Sequence, residues 1–199
     1  MSLFPLVTFE QIDLAAANGC LVEWGHRMGA LERGNEQGVH YALLHDRKPV
    51  AVAMTSGLIR ECVGGGLGHL TRDNCMELSR LCAERPGLCR VALRLWREFV
   101  FPQLGVPTAI SYQDADMHSG NTYRFDGWTR SGFSSSGTDQ RSGRKGRRKW
   151  IWVWGAAALT PPSPALSPEQ SKCDWHATFS NECEHCAKAL AEAGIKEKT

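Results

Sequence analysis

The sequence predicts an α/β fold, a mixed sheet flanked by helices, and three observations carry that prediction. His40-Tyr-Ala-Leu-Leu44 and Val50-Ala-Val-Ala-Met54 are two apolar runs around the polar turn His45-Asp-Arg-Lys-Pro49, the pattern of an antiparallel hairpin. Val91, Leu95, Trp96, Phe99 and Val100 recur near helical spacing within 87–104, ahead of the stop signal Gly105-Val-Pro107. Finally, 108–128 reads as an apolar strand, a polar loop and a short helix closing on Tyr123-Arg-Phe-Asp-Gly127-Trp128.

The remaining elements fall between these anchors. Residues 3–8 read as a short strand, and 9–28 as a helix whose Ile12, Leu14, Ala15, Leu21, Val22 and Trp24 share a face. Residues 75–82 form the next strand after the hairpin. Then come the helix 87–104, the strand 108–112, the helix 119–126, and two strands, 129–136 and 149–154, around a basic loop. The order is β-α-β-β-β-α-β-α-β-β.

With 199 residues the chain suits one main domain at 1–157, followed by a Pro/Ser-rich linker at 158–171 and a Cys/His tail at 172–199. No apolar run approaches the roughly 18 residues that span a bilayer, and the first residues lack a basic start and cleavage site. A cytoplasmic protein without membrane contact is expected. Cys20, Cys62, Cys75, Cys82 and Cys89 sit among apolar residues and read as small buried side chains.

The formal net charge is only +2, yet six Arg/Lys fall within 141–149: Arg141, Arg144, Lys145, Arg147, Arg148 and Lys149. Interleaved Gly and Ser let such a loop follow a phosphate backbone, so nucleic acid is the expected partner, bound with strong salt dependence. A solvated charged loop is the alternative. Trp150, Trp152 and Trp154 alternate after it and read as packing residues; Tyr112 and Phe133 are possible stacking platforms. Beyond the linker, Cys173-x-x-His176 and Cys183-x-x-Cys186 supply four ligands of the types that close a zinc site.

Asp114, Asp116 and His118 follow the strand 108–112 at its carboxyl end, where open α/β sheets place ligands, and Asp114 is the candidate base; a solvated Asp-Ala-Asp loop that caps the next helix is the alternative. In Glu77-Leu-Ser-Arg-Leu-Cys82, strict alternation puts Leu78, Arg80 and Cys82 on one face, where a lone arginine wants an anion. His40 and Tyr41 are adjacent, so alternation points them to opposite faces and spacing does not dictate a joint metal site.

The Tyr-x-x-x-Gly-aromatic ending at Tyr123 resembles the last conserved element of the GNAT N-acetyltransferase superfamily, and the element order over roughly 3–155 is similar to that fold. The resemblance implies a splayed sheet, with Tyr123 beside an acyl-thioester sulfur and coenzyme A phosphates on the loop 84–90 and the helix after it. Arg85, Gly87 and Arg90 are then the cofactor candidates. Arg85-Pro-Gly87-Leu-Cys89 is one residue shorter than the usual family loop and carries a proline, and a plain turn into a helix is the competing account.

Glu77-Leu-Ser-Arg-Leu-Cys82, Ile110-Ser-Tyr-Gln-Asp114 and His40-Tyr41, taken together, resemble the Mom DNA-modification family. These phage enzymes of GNAT-like fold add a carbamoylmethyl (acetamido) group to adenine N6 in double-stranded DNA and so shield it from restriction. The resemblance implies a cleft lined by Arg80, Ser111, Asp114, His40, Tyr41 and Tyr123, with bound iron, for which His40 and Tyr41 are the metal candidates. An ordinary acetyltransferase using acetyl-CoA on a protein or small-molecule amine is the alternative.

Overall fold

The computed structural model describes residues 6–32, 38–135 and 146–155. Its elements, in chain order, are β1 (Val7–Ile12), α1 (Leu14–Glu23), β2 (His40–His45), β3 (Lys48–Gly57), β4 (Cys75–Ala83), α2 (Leu88–Leu95), β5 (Thr108–Asp114), α3 (Asn121–Phe125), β6 (Thr129–Ser135) and β7 (Arg148–Gly155). This is the order read from the sequence. The chain divides into two units, Met1–Thr160 and Pro161–Thr199. The second, with Cys173, His176, Cys183 and Cys186, lies outside the described residues, as do Arg141, Arg144 and Lys145.

One boundary differs from expectation for a local reason. The Asp13 side chain accepts a hydrogen bond from the Ala16 N–H at 2.7 Å, capping α1 at its amino end and fixing the start at Leu14. The residues before it are therefore free to pair with β2, Phe9 opposite Leu43, so the first strand lies at Val7–Ile12 rather than 3–8. At its other end α1 stops at Trp24, followed by Gly25 at φ +63. The expected helix 87–104 is α2 followed by a π turn (Trp96–Val100) and a 3-10 turn (Phe101–Gln103). Pro102, with no N–H and a ring that clashes one turn back, cannot continue the α pattern.

The strands form one sheet in the order β1-β2-β3-β4-β5-β7-β6, antiparallel except between β4 and β5. That parallel pair is short: Cys75, Met76 and Glu77 stand opposite Thr108, Ala109 and Ile110. Beyond Glu77 no further residues pair, and the remaining ends frame an opening. One face of the sheet buries Leu78, Leu93, Trp96, Tyr123, Trp128 and Trp152 under α2 and α3. The other packs Ala17, Cys20 and Leu21 of α1 on Val52, Met54 and Cys82. Trp152 stacks on Tyr123, Trp154 lies 6.3 Å from Trp128, and Trp150 meets Phe133 edge-on at 4.7 Å, so all three alternating tryptophans are packing residues.

The sequence left 58–74 unassigned. There Leu58, Val63, Leu67 and Leu70 bury against Cys75, Ile110, Ile151 and Val153. This segment thus covers a part of the sheet, and an Arg72 guanidinium donating to the Leu58 and Ile59 carbonyls at 3.2 and 2.8 Å ties its ends together. Cys62, expected to be buried, is exposed on it, because the apolar contacts fall to Val63 beside it. No described helix is long and apolar enough to cross a membrane.

Candidate functional site

A cleft of about 370 Å³ opens between the diverging ends of β4 and β5. Its lining includes Leu78, Ser79 and Arg80 of β4, Ser111 and Asp114 of β5, Tyr123 of α3, and Arg147 and Lys149 at the start of β7. Arg80, Ser111, Asp114 and Tyr123 are thereby brought together as read from the sequence. His40 and Tyr41 are not among the lining residues.

The floor is a chain of hydroxyls. Ser111, 2% exposed, donates its one proton to the Leu78 carbonyl at 2.8 Å, so its oxygen accepts from the Tyr123 hydroxyl, also at 2.8 Å. The chain therefore bridges the strands where their backbone pairing has ended. Burial pushes the Tyr123 phenol up to about 12, with the Ser111 hydrogen bond opposing, so the group is a neutral proton donor at physiological pH. Its ring stacks on Trp152 at 5.6 Å and meets Trp128 edge-on at 5.5 Å. Arg97 holds α3 in place by donating to Asp126 at 2.9 Å while lying over Trp154 at 4.5 Å.

The β4 wall departs from simple alternation. Met54 stands opposite Arg80 and Thr55 opposite Leu78, which leaves Ser79 as an extra residue, a bulge. Leu78 consequently packs with Trp96 on the α2 side, while Arg80 joins Met54 and Cys82 on the α1 side. The expectation that Leu78, Arg80 and Cys82 share a face is thus corrected: one inserted residue reverses the sense of every side chain after it. Arg80 is 7% exposed and donates to the Ser79 carbonyl at 2.8 Å.

On the α1 side the cleft is closed by His26, Arg27 and Met28, in a turn that sequence reading missed. Gly25 and Gly29, both at φ +63, bracket this turn, and the pair of glycines is the signal that could have found it. Arg27 donates to Asp114 Oδ2 at 3.2 Å, with side chains 51% and 14% exposed respectively. The Met28 N–H donates to His26 Nδ1 at 3.3 Å, which leaves the proton of a neutral ring on Nε2. Burial first, then the Arg80 guanidinium, His118 and Arg147, push His26 down to about 4.

His26 therefore makes stability depend on pH. Its folded value lies below the ordinary 6.5, so between about 4 and 6.5 the unfolded chain binds more protons. The contribution is complete above pH 6.5 and is lost as pH falls through that window; His40, also lowered by burial, acts with the same sign. A urea midpoint measured at pH 7 and pH 5 is expected to fall at the lower pH, and to fall less in His26→Gln.

Asp116 pairs with Arg148, Nε to Oδ2 at 3.2 Å, so both carboxylates of the Asp-Ala-Asp loop are engaged by guanidinium groups. No side chain caps α3, whose N-cap is Gly120 at φ +74. A Cβ on Gly120 would lie 2.5 Å from both Gln113 Oε1 and Trp152 Cζ2. Gln113 Oε1 accepts from Trp152 Nε1 at 2.8 Å, so that neighbour is fixed. Gly120→Ala is expected to cost about 1–3 kcal/mol from the positive φ and the overlap, read from chemical denaturation.

His40 and Tyr41 do not fit an iron site. Tyr41 stacks on Phe9 at 5.4 Å in the core on the α2 side, whereas His40 stands opposite Met54 on the other face. Adjacent strand residues diverge, and among the described residues no three His, Cys, Asp or Glu side chains cluster as metal ligands would. A coenzyme A site does fit. Gly87, at φ +91, turns the chain into α2 without a side-chain cap, which leaves the helix start open to a phosphate. Cys89 in the first turn of α2 lines the cleft, and exposed Arg85 and Arg90 flank that end, Arg90 lying over the Phe125 ring at 5.3 Å.

The sheet order, the splayed β4/β5 pair and the helix at its mouth define the GNAT fold. Solved structures of that fold match the chain over most of its length. A probable acetyltransferase from Staphylococcus epidermidis matches at TM-score 0.55 and 9% identity, covering 76% of this chain and 99% of its own. The ribosomal-protein-S18-alanine N-acetyltransferase from Escherichia coli matches at 0.52 and 16%, covering 81% and 99%. The aminoglycoside acetyltransferase AAC(6')-Ib, in complex with ribostamycin and coenzyme A, matches at 0.52 and 17%, covering 80% and 99%. No family model and no curated protein matches the sequence.

Proposed function

We propose that this chain is a GNAT-type transferase that moves a small acyl-derived group from a coenzyme A thioester to an amine, with Tyr123 as the acid. The observation that carries this reading is the buried Tyr123 hydroxyl at the floor of the β4/β5 opening, held by Ser111 and neutral up to about pH 12. Coenzyme A, held by the N–H groups at the start of α2 with Arg85 and Arg90, would supply the activated carbonyl and the thiolate leaving group. The Tyr123 hydroxyl gives its proton to the departing sulfur, and Asp114 takes the proton that the attacking amine must lose. The likeness to N-acetyltransferases supports this level of the reading.

For the acceptor, the charge of the cleft supports an amine carried on a polyanion. Arg27, Arg80, Arg147 and Lys149 line it against one carboxylate, Asp114, an environment that repels a polycationic amine such as an aminoglycoside. Glu77–Cys82 and Ile110–Asp114, two of the three segments that resemble the Mom family, meet at this cleft through the Ser111–Leu78 hydrogen bond, while the third, His40-Tyr41, does not line it. Adenine N6 in DNA, the amine that Mom proteins modify, is the acceptor that both observations support, and transfer from a thioester would leave it N6-acylated. The base would leave the duplex to reach a floor this deep.

Chromatography and mass spectrometry of nucleosides, from DNA of cells expressing the protein, test the acceptor. A modified deoxyadenosine present with the wild type and absent with Arg80→Met supports DNA. Unmodified DNA together with acetyl-CoA turnover on a protein or small-molecule amine overturns the DNA acceptor and leaves the plain N-acetyltransferase. If neither reaction occurs, the transferase reading falls.

A further inference from the structure

Asp114 is the carboxylate best placed to take the proton from an acceptor amine, and both of its oxygens are engaged. Oδ1 accepts the Asp116 N–H at 3.1 Å, a backbone donor of its own turn, and Oδ2 accepts Arg27 Nη1 at 3.2 Å. The first contact is built into the loop. The second comes from a side chain 51% exposed, on a turn bracketed by two glycines at positive φ, so Arg27 is the partner that can leave. An ion pair this exposed is worth at most about 1 kcal/mol, so a second anion in the cleft is enough to draw Arg27 away.

We propose that Arg27 is a substrate clamp that exchanges Asp114 for a phosphodiester of the acceptor strand, and that this exchange releases Asp114 to receive the amine proton. Lys149, opposite Asp114 in the β5–β7 register, and Arg147 line the same cleft, so a strand entering there passes between cations from two separate elements. The phosphate is thereby met on the α1 side as well as by Arg147 and Lys149 at the start of β7. An acceptor amine without a phosphate leaves Arg27 on Asp114 and the base engaged. The inference rests on the DNA reading of the acceptor and adds to it a residue that couples strand binding to proton transfer.

The test measures binding of a single-stranded, adenine-containing oligodeoxynucleotide at 50 and 200 mM salt, for the wild type, Arg27→Gln and Arg27→Lys. Loss of one phosphate contact is expected to lower the salt slope of Arg27→Gln by about 0.7, the single-strand value, so the affinity gap between wild type and variant shrinks about 2.5- to 3-fold over that range. Arg27→Lys, which keeps a charge, should restore the slope. In transfer assays the wild type should prefer the oligonucleotide to free deoxyadenosine, and Arg27→Gln should erase the preference. A merely structural role for Arg27 would not change a salt slope. A folded Arg27→Gln with wild-type slope and preference overturns the inference alone, whereas a wild type that binds no DNA overturns the DNA reading together with it.

Discussion

Tyr123→Phe is expected to lower the transfer rate by about 10²- to 10⁴-fold, the range for loss of a positioned acid, while leaving the fold in place. The substitution removes one oxygen and keeps the ring, so stacking on Trp152 and the edge-on contact with Trp128 survive. Ser111 keeps its own acceptor, the Leu78 carbonyl at 2.8 Å, so no buried donor is orphaned. Single-turnover kinetics with thioester donor in excess would read the chemical step directly, and near-UV circular dichroism would report the packing of the surrounding tryptophans. An unchanged rate would show that the departing group takes its proton elsewhere, and would remove Tyr123 from the mechanism.

The second large effect is on stability. Trp96 is fully buried among Leu78, Leu93, Tyr123 and Trp128, and its Nε1–H donates to Thr55 Oγ1 at 2.8 Å. Trp96→Ala is expected to cost about 3–5 kcal/mol by emptying the centre of that core. A loss of this size is a large part of the stability of any single domain. Trp96→Phe separates the contributions: it retains most of the volume and leaves the Thr55 hydroxyl short of its donor, for about 1–3 kcal/mol. Urea unfolding monitored at both variants checks the order, and equal losses would mean that the hydrogen bond, not the filled volume, dominates the site.

The elements whose boundaries depend on near neighbours were legible in the sequence. The hairpin 40–54 carries its own polar turn, and α2 announces itself by apolar spacing and by Gly87 before it. The ending Tyr123-x-x-x-Gly127-Trp128 placed a tyrosine at the floor of an opening that does exist. Asp114 was legible from its place at the carboxyl end of a strand, whereas Ser111 and Tyr123 were named through the family resemblances; the structure sets all three on one cleft. Arg80 was found as a polar residue inside an apolar strand, although its face was misjudged.

His26 and Arg27 escaped because the glycines around them mark a turn and nothing within the segment marks what it does. Their significance comes from Asp114 and Arg80, 87 and 54 positions further along the chain, which only the folded sheet brings near. His40 and Tyr41 failed as a pair for the opposite reason: adjacency in sequence forces divergence on a strand. The covering segment 58–74 has no periodic pattern, and it is ordered by the sheet surface it packs on, not by its own propensity.

The residue order by itself therefore determined the succession of strands and helices, and the presence of a carboxylate at the end of β5, because hydrogen bonding and periodicity act over a few residues. Only the tertiary structure decided which side of the sheet Arg80 faces, and which cation holds Asp114. A single bulge at Ser79 sets the first, and a contact across the cleft sets the second; neither leaves a trace in local spacing, since each depends on where distant backbone lies.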